Sequence, residues 1–184
     1  MTDFTTINPA DGKSIRTWHS LSSEQLDETI DRVYANGLIW QETPFPERSL
    51  RFRTLAELIR ARADQLATLI TLEMGKPISQ SRAECEKCAW LCEYFADHAQ
   101  DFLADRAMTL DDQKAMVTFR PIGTIYAVMP WNFPLWQVFR SVAPTIMAGN
   151  SVVLKHAPCV FGCGEAIESL FRDAGSQGIC SGRL

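Results

Sequence analysis

From Thr124 onward the chain alternates strand and helix, and that order leaves few folds open. Thr124-Ile125-Tyr126-Ala127-Val128-Met129 is a β-rich, largely apolar run. A helical segment follows from about Leu135 to Ala148, then a short strand Ser151-Val152-Val153-Leu154, then a second helix from about Val160 to Ala174. An apolar strand followed by a covering helix and another strand is the beginning of a parallel sheet with helices on its faces. The fold class is therefore α/β.

The front half reads as mostly helical. Ile7-Asn8-Pro9-Ala10-Asp11-Gly12-Lys13 holds two reversal-prone dipeptides, Asn-Pro and Asp-Gly, so a hairpin of two short strands is expected around it. Ser22 and Gln25 have the spacing of a capping box, with Leu21 and Leu26 placed as a hydrophobic staple. Leu26, Ile30, Val33 and Tyr34 are the expected buried face of that helix. A second helical stretch starts near Pro46, breaks near Asp64 and stops at Gly75 and Pro77. A third spans about Ser79 to Arg106, and Met116-Val117-Thr118-Phe119 reads as a further strand.

Charge and composition exclude several classes. With 18 Lys and Arg against 22 Asp and Glu over 184 residues, interspersed, no basic run can follow a phosphate backbone or an anionic bilayer. Neither nucleic acid nor a membrane is an expected partner. No segment nears the ~20 apolar residues of a membrane span, and the start lacks the layout of a signal peptide, so a cytoplasmic location is expected. Six cysteines without an export signal read as reduced thiols. Cys85, Cys88 and Cys92 could be read as a thiol or metal module. The same stripe continues through Phe95, Ala99 and Phe102, however, which is the spacing of a buried helix seam, so no metal is expected.

The segment richest in chemistry is Pro130-Trp131-Asn132-Phe133-Pro134, where the apolar strand gives way to a helix. Ligands of open α/β sheets bind at such carboxyl ends. The Asn132 amide there can donate to an oxyanion while two prolines fix the path of the loop. A rigid turn with Asn132 as a helix cap explains the same residues.

Pro130-Trp131-Asn132-Phe133-Pro134, followed by Ala148-Gly149-Asn150-Ser151-Val152-Val153-Leu154-Lys155, resembles the pattern of the aldehyde dehydrogenase superfamily. Ile7-Asn8-Pro9-Ala10-Asp11-Gly12, Glu73-Met74-Gly75-Lys76-Pro77 and Arg120-Pro121-Ile122-Gly123 are similar to the same pattern, in the same order, up to about Gly175. The resemblance implies an amino-terminal hairpin and helices followed by the start of a Rossmann-like parallel sheet, within a cofactor-binding domain over residues 1–175. A strand segment near 109–120 would belong to the oligomerisation region, and intact relatives would be homo-oligomers.

The resemblance further implies oxidation of an aldehyde through a cysteine thiohemiacetal, hydride transfer to NAD or NADP, and hydrolysis of the thioester. By that likeness Asn132 stabilises the oxyanion, and Val128, Met129, Pro130 and Trp131 line the nicotinamide-ribose side of the cofactor. Lys155 reaches the adenosine ribose, with His156, Ala157 and Pro158 beside it. The family often has a Glu where this chain has Pro158, and without that carboxylate NADP is better tolerated. His156 is expected to be a pocket wall or an auxiliary phosphate donor. Phe133, Trp136 and Arg140 are the expected substrate contacts. Arg140, eight residues after Asn132, coincides with an Arg that succinate-semialdehyde dehydrogenases use for the substrate carboxylate. The alternatives are a solvated strand end for Lys155 and a polar helix face for Arg140.

The family's nucleophilic Cys, general-base Glu and glycine-bearing cofactor turn lie beyond Leu184, so the chain is expected to be catalytically incomplete. Cys159, Cys163 and Cys180 lack the nucleophile's glycine-rich surroundings. The tail from 176 to 184 loses the apolar pattern, as a truncated or frame-shifted reading frame or a fragment of a longer protein would. A non-catalytic protein that pairs with a full-length aldehyde dehydrogenase is the alternative function.

Overall fold

The computed structural model describes residues 3–110, 113–176 and 179–181. β1 (Asp3–Ile7) and β2 (Ser14–His19) form the expected antiparallel hairpin, whose turn is tied by Ala10 N–H donating to Asn8 Oδ1 and Lys13 N–H to Asp11 Oδ1. Its Trp18 and Phe4 rings pack on Phe161. α1 (Ser23–Gln41) opens with the capping box, Gln25 N–H to Ser22 Oγ at 3.2 Å and Ser22 N–H to Gln25 Oε1 at 3.0 Å.

The buried face of α1 differs from the expected one. Thr29, Val33 and Trp40 are buried, whereas Ile30 and Tyr34 are exposed. The cause lies at Gly37: a Cβ there would stand 2.6 Å from Ser151 Oγ, so the helix meets the sheet along Thr29, Val33, Gly37 and Trp40. That stripe is displaced by one residue, or 100° of helix, from the one that hydrophobicity alone selects.

α2 (Phe45–Ala61) has Pro46 in its first turn, and a break at Arg62 leads into α3 (Ala63–Met74). Gly75 ends α3 at φ 74°, where a side chain would be strained. α4 (Ile78–Phe102) then runs back across both, with Cys85, Cys88 and Cys92 fully buried on its inner seam.

α4 stops short of Arg106, and Arg106 instead opens a strand, β3 (Arg106–Leu110), paired antiparallel with β4 (Gln113–Val117). Arg, Ala, Met and Leu favour helix locally, so pairing with a neighbouring strand overrides propensity here. β4 also begins and ends earlier than the Met116–Phe119 run suggested.

β5 (Thr124–Met129), α5 (Trp136–Met147), β6 (Ser151–His156), a short 3₁₀ turn (Pro158–Val160), α6 (Phe161–Asp173) and β7 (Ile179–Ser181) complete the chain. The three strands are parallel in the order β5-β6-β7. β7 adds a third parallel strand within the tail, where the sequence reading expected none. Register sorts the two faces of β6: Val152, Leu154 and His156 point into the main core, and Val153 packs on Val33 of α1. Phe52, Leu55, Ile59, Ile70, Phe139, Ile146, Leu170 and Phe171 fill that core between α2, α3, α5 and α6. Each such side chain contributes about 1.5–3 kcal/mol on burial, so this wedge carries most of the stability.

Candidate active site

The parallel pairing of β5 with β6 brings the two predicted clusters together. Val128 lies opposite Lys155 and Met129 opposite His156, at the carboxyl ends of both strands. The chain leaves β5 through Pro130-Trp131-Asn132-Phe133-Pro134 and enters α5 at Trp136. Trp131, Asn132 and Phe133 are exposed and Pro134 is buried, so the loop is anchored at its downstream end and open at its tip. α5 has no side-chain cap of its own, which removes the reading of Asn132 as a helix cap.

The cap comes from α4. The buried Glu84 carboxylate accepts Leu135 N–H and Trp136 N–H, both at 2.9 Å on Oε1, while its Oε2 pairs with the buried Lys76 ammonium. Lys76 also stands over the Phe133 ring, with Nζ 3.8 Å from its centroid. α6 is capped in the same manner by Glu73 of α3, which accepts Gly162 N–H at 2.8 Å and Cys163 N–H at 3.0 Å. Burial holds the Glu73 carboxyl above the usual range, against the pull of those two donors. Both crossover helices therefore present their amino ends to internal carboxylates.

His156 is fully buried and does not have the placement of a pocket wall or a phosphate donor. Its Nδ1 accepts Ala157 N–H at 2.9 Å, so its Nε2–H donates to Pro134 C=O at 2.8 Å. Burial lowers its pKa, with the hydrogen bonds to Pro134 and Met129 opposing that shift. It is a neutral strut between β6 and the loop.

Lys155 is half-buried, and Pro158 is exposed at the start of the 3₁₀ turn. Trp136 is half-buried beneath Lys87, whose Nζ lies 3.8 Å from the ring centroid, and Arg140 is exposed one helical turn further along α5. Among the described residues the thiols are poor nucleophiles. Burial pushes Cys85 up to about 12 and Cys88, Cys92 and Cys163 also well above the ordinary range, and the exposed Cys159 is raised as well. Glu84, Lys76 and Glu73 escaped the sequence reading. Glu73, Lys76 and Pro77 stood in a quoted motif, but nothing local tells that a side chain 51 or 89 residues before an amide will cap it.

The chain belongs to the aldehyde dehydrogenase family, whose sequence profile matches residues 1–178. Within it, the chain is similar to succinate semialdehyde dehydrogenase [NAD(P)+] Sad of Escherichia coli K12, 42% identical over 174 residues, which cover 94% of this chain and 38% of that protein. A succinate-semialdehyde dehydrogenase [NADP(+)] of Mycobacterium leprae is 38% identical over 178 residues, 95% of this chain and 39% of its own length. Among solved structures, succinic semialdehyde dehydrogenase from Streptococcus pyogenes in complex with NADP+ superposes with a TM-score of 0.94 at 29% identity, over 98% of this chain and 40% of its own. Gox0499 superposes with a TM-score of 0.96 at 32% identity, over 100% of this chain and 41% of its own. The chain thus spans about two fifths of the length of these relatives.

Proposed function

We propose that this chain supplies the oxyanion amide and one flank of the cofactor and substrate sites of an NAD(P)-dependent succinate-semialdehyde dehydrogenase, and that it does not turn over alone. The observation that carries this reading is the loop from Pro130 to Pro134, pinned at its buried end with Asn132 exposed at its tip beside the carboxyl end of β6. The Asn132 amide N–H donates to the aldehyde oxygen as negative charge grows on it, a contribution of about 3–4 kcal/mol for one such donor. Trp131 and Phe133 on either side offer exposed aromatic surface to the substrate. Arg140 meets the distal carboxylate of the substrate with a two-point guanidinium contact.

The residues present fit one side of a dinucleotide. Val128 offers an exposed apolar surface, and Lys155 offers an ammonium across the strand pair from it. When bound, NAD(P) supplies the hydride acceptor. Pro158 places no carboxylate against a 2′-phosphate, so NADP is accepted as well as NAD.

The test is NAD(P)-linked oxidation of succinate semialdehyde by the purified chain, beside the Escherichia coli relative as control. No turnover is expected. A rate comparable with the control would make one of the chain's own cysteines the nucleophile and overturn this reading. A second reading, a non-catalytic partner of a full-length dehydrogenase, is favoured by the exposed apolar side chains Tyr34, Leu38, Tyr126 and Val128 on α1 and β5. Co-purification with an intact dehydrogenase would support it.

A further inference from the structure

We infer that Glu84 is the positioning residue of the Asn132 loop, acting through the first amides of α5 and through Lys76. This rests on the reading of Asn132 as the oxyanion donor. The loop between Met129 and Trp136 is held by groups from three other parts of the chain. His156 on β6 holds Pro134 C=O, Lys76 between α3 and α4 stands over Phe133, and Glu84 on α4 holds Leu135 and Trp136 N–H.

Glu84 joins two of these three. Its Oε1 takes both amides and its Oε2 balances the Lys76 ammonium, so one carboxylate fixes the downstream anchor and the cation under Phe133 together. A charged acceptor is needed there. Lys76 is buried, and without Glu84 its charge would be unpaired while two amides lost their acceptor. Asn132 sits two residues before Pro134 and three before Leu135, so its direction is set by anchors it does not touch.

Amide hydrogen exchange on this chain reads the proposal. In Glu84→Ala, protection at Leu135 and Trp136 falls at least about tenfold, as loss of a charge-assisted hydrogen bond requires. Protection in α2 and α3 changes far less. Glu84→Gln keeps one acceptor oxygen and restores part of the protection. Lys76→Met, which leaves the acceptor in place, keeps both amides within about threefold of the original. Should Glu84→Ala fail to fold, Glu84→Gln against Lys76→Met decides on the same two amides. Unchanged protection at Leu135 and Trp136, or an equal loss across α2 and α3, would overturn the assignment. NADP titration of the unsubstituted chain is read separately: loosened amides in a chain that binds no NADP would sustain the role of Glu84 and show that one flank alone does not hold the cofactor.

Discussion

At the scale of the residue, His156 ties the loop to the sheet and makes that tie dependent on pH. The imidazole is fully buried, and burial lowers its pKa below the ordinary 6.5. The unfolded chain therefore takes up a proton at about that ordinary value while the folded chain does not. The contribution of His156 to stability is present above pH 6.5 and is lost as the pH falls toward the lowered folded value. Denaturation midpoints measured from pH 7 down to pH 5.5 are expected to fall, at up to about 1.4 kcal/mol per pH unit for one proton. In His156→Asn the same series should be flatter, although the variant starts less stable. An equal slope in both proteins would mean that the buried imidazole is not the group titrating. The sequence reading expected a pocket wall or a phosphate donor here, and the structure instead buries the imidazole against Pro134. Its neighbours on the strand point alternately to two faces, and only the register with β5 decides which face His156 takes.

Among the elements, the legible features were the local ones. The Ser22 capping box, the left-handed stop at Gly75, the break between α2 and α3 and the strand-helix alternation after Thr124 are each written within a few residues. What stayed hidden was supplied across the chain. The ends of α5 show it: Glu84 caps the start, and Arg48 of α2 closes the finish. The buried Arg48 guanidinium donates to Met147 C=O at 2.9 Å, at the end of α5, and to Trp40 C=O at 3.3 Å and Gln41 C=O at 2.8 Å, at the end of α1. One side chain thus satisfies carbonyls of two helices that are about a hundred residues apart. Arg48→Ala is expected to cost about 3 kcal/mol in urea unfolding, since three carbonyls lose a charged donor. Arg48→Lys should recover less than half of that, because an ammonium cannot span the three acceptors as the planar fork does. A cost below about 1 kcal/mol for the alanine variant would show that water replaces the guanidinium at these carbonyls. β3, which the sequence reading did not anticipate, has the same origin, since its strand state comes from pairing with β4 and its composition favours helix.

For the whole molecule, the question is what its apolar surface meets. On the sheet face that carries α1, Tyr126 and Val128 of β5 are 57% and 62% exposed, beside Tyr34 and Leu38 at 55% and 46%. A groove lined by Tyr34, Gly37, Leu38, Gly123, Thr124 and Ser151 runs between α1 and the start of β5 on this face. Among the described residues β5 is also an edge of the sheet, with one side of its ladder unpaired. An apolar face next to an unpaired edge favours association with another chain. The chain alone is therefore expected to self-associate at micromolar concentration, giving a mass in sedimentation that rises with loading. Tyr34→Lys together with Tyr126→Glu should shift it toward monomer without lowering its unfolding midpoint by more than about 1 kcal/mol, since both side chains face solvent. Neither position belongs to the proposed site, so NADP titration of the double variant should match that of the unsubstituted chain. Association that persisted unchanged in the double variant would place the contact elsewhere, with the exposed Met108, Met116 and Val117 of the β3-β4 hairpin the next surface to alter. That hairpin stands apart from the three-stranded sheet, and a contact through it would agree with the expectation that residues near 109–120 serve oligomerisation.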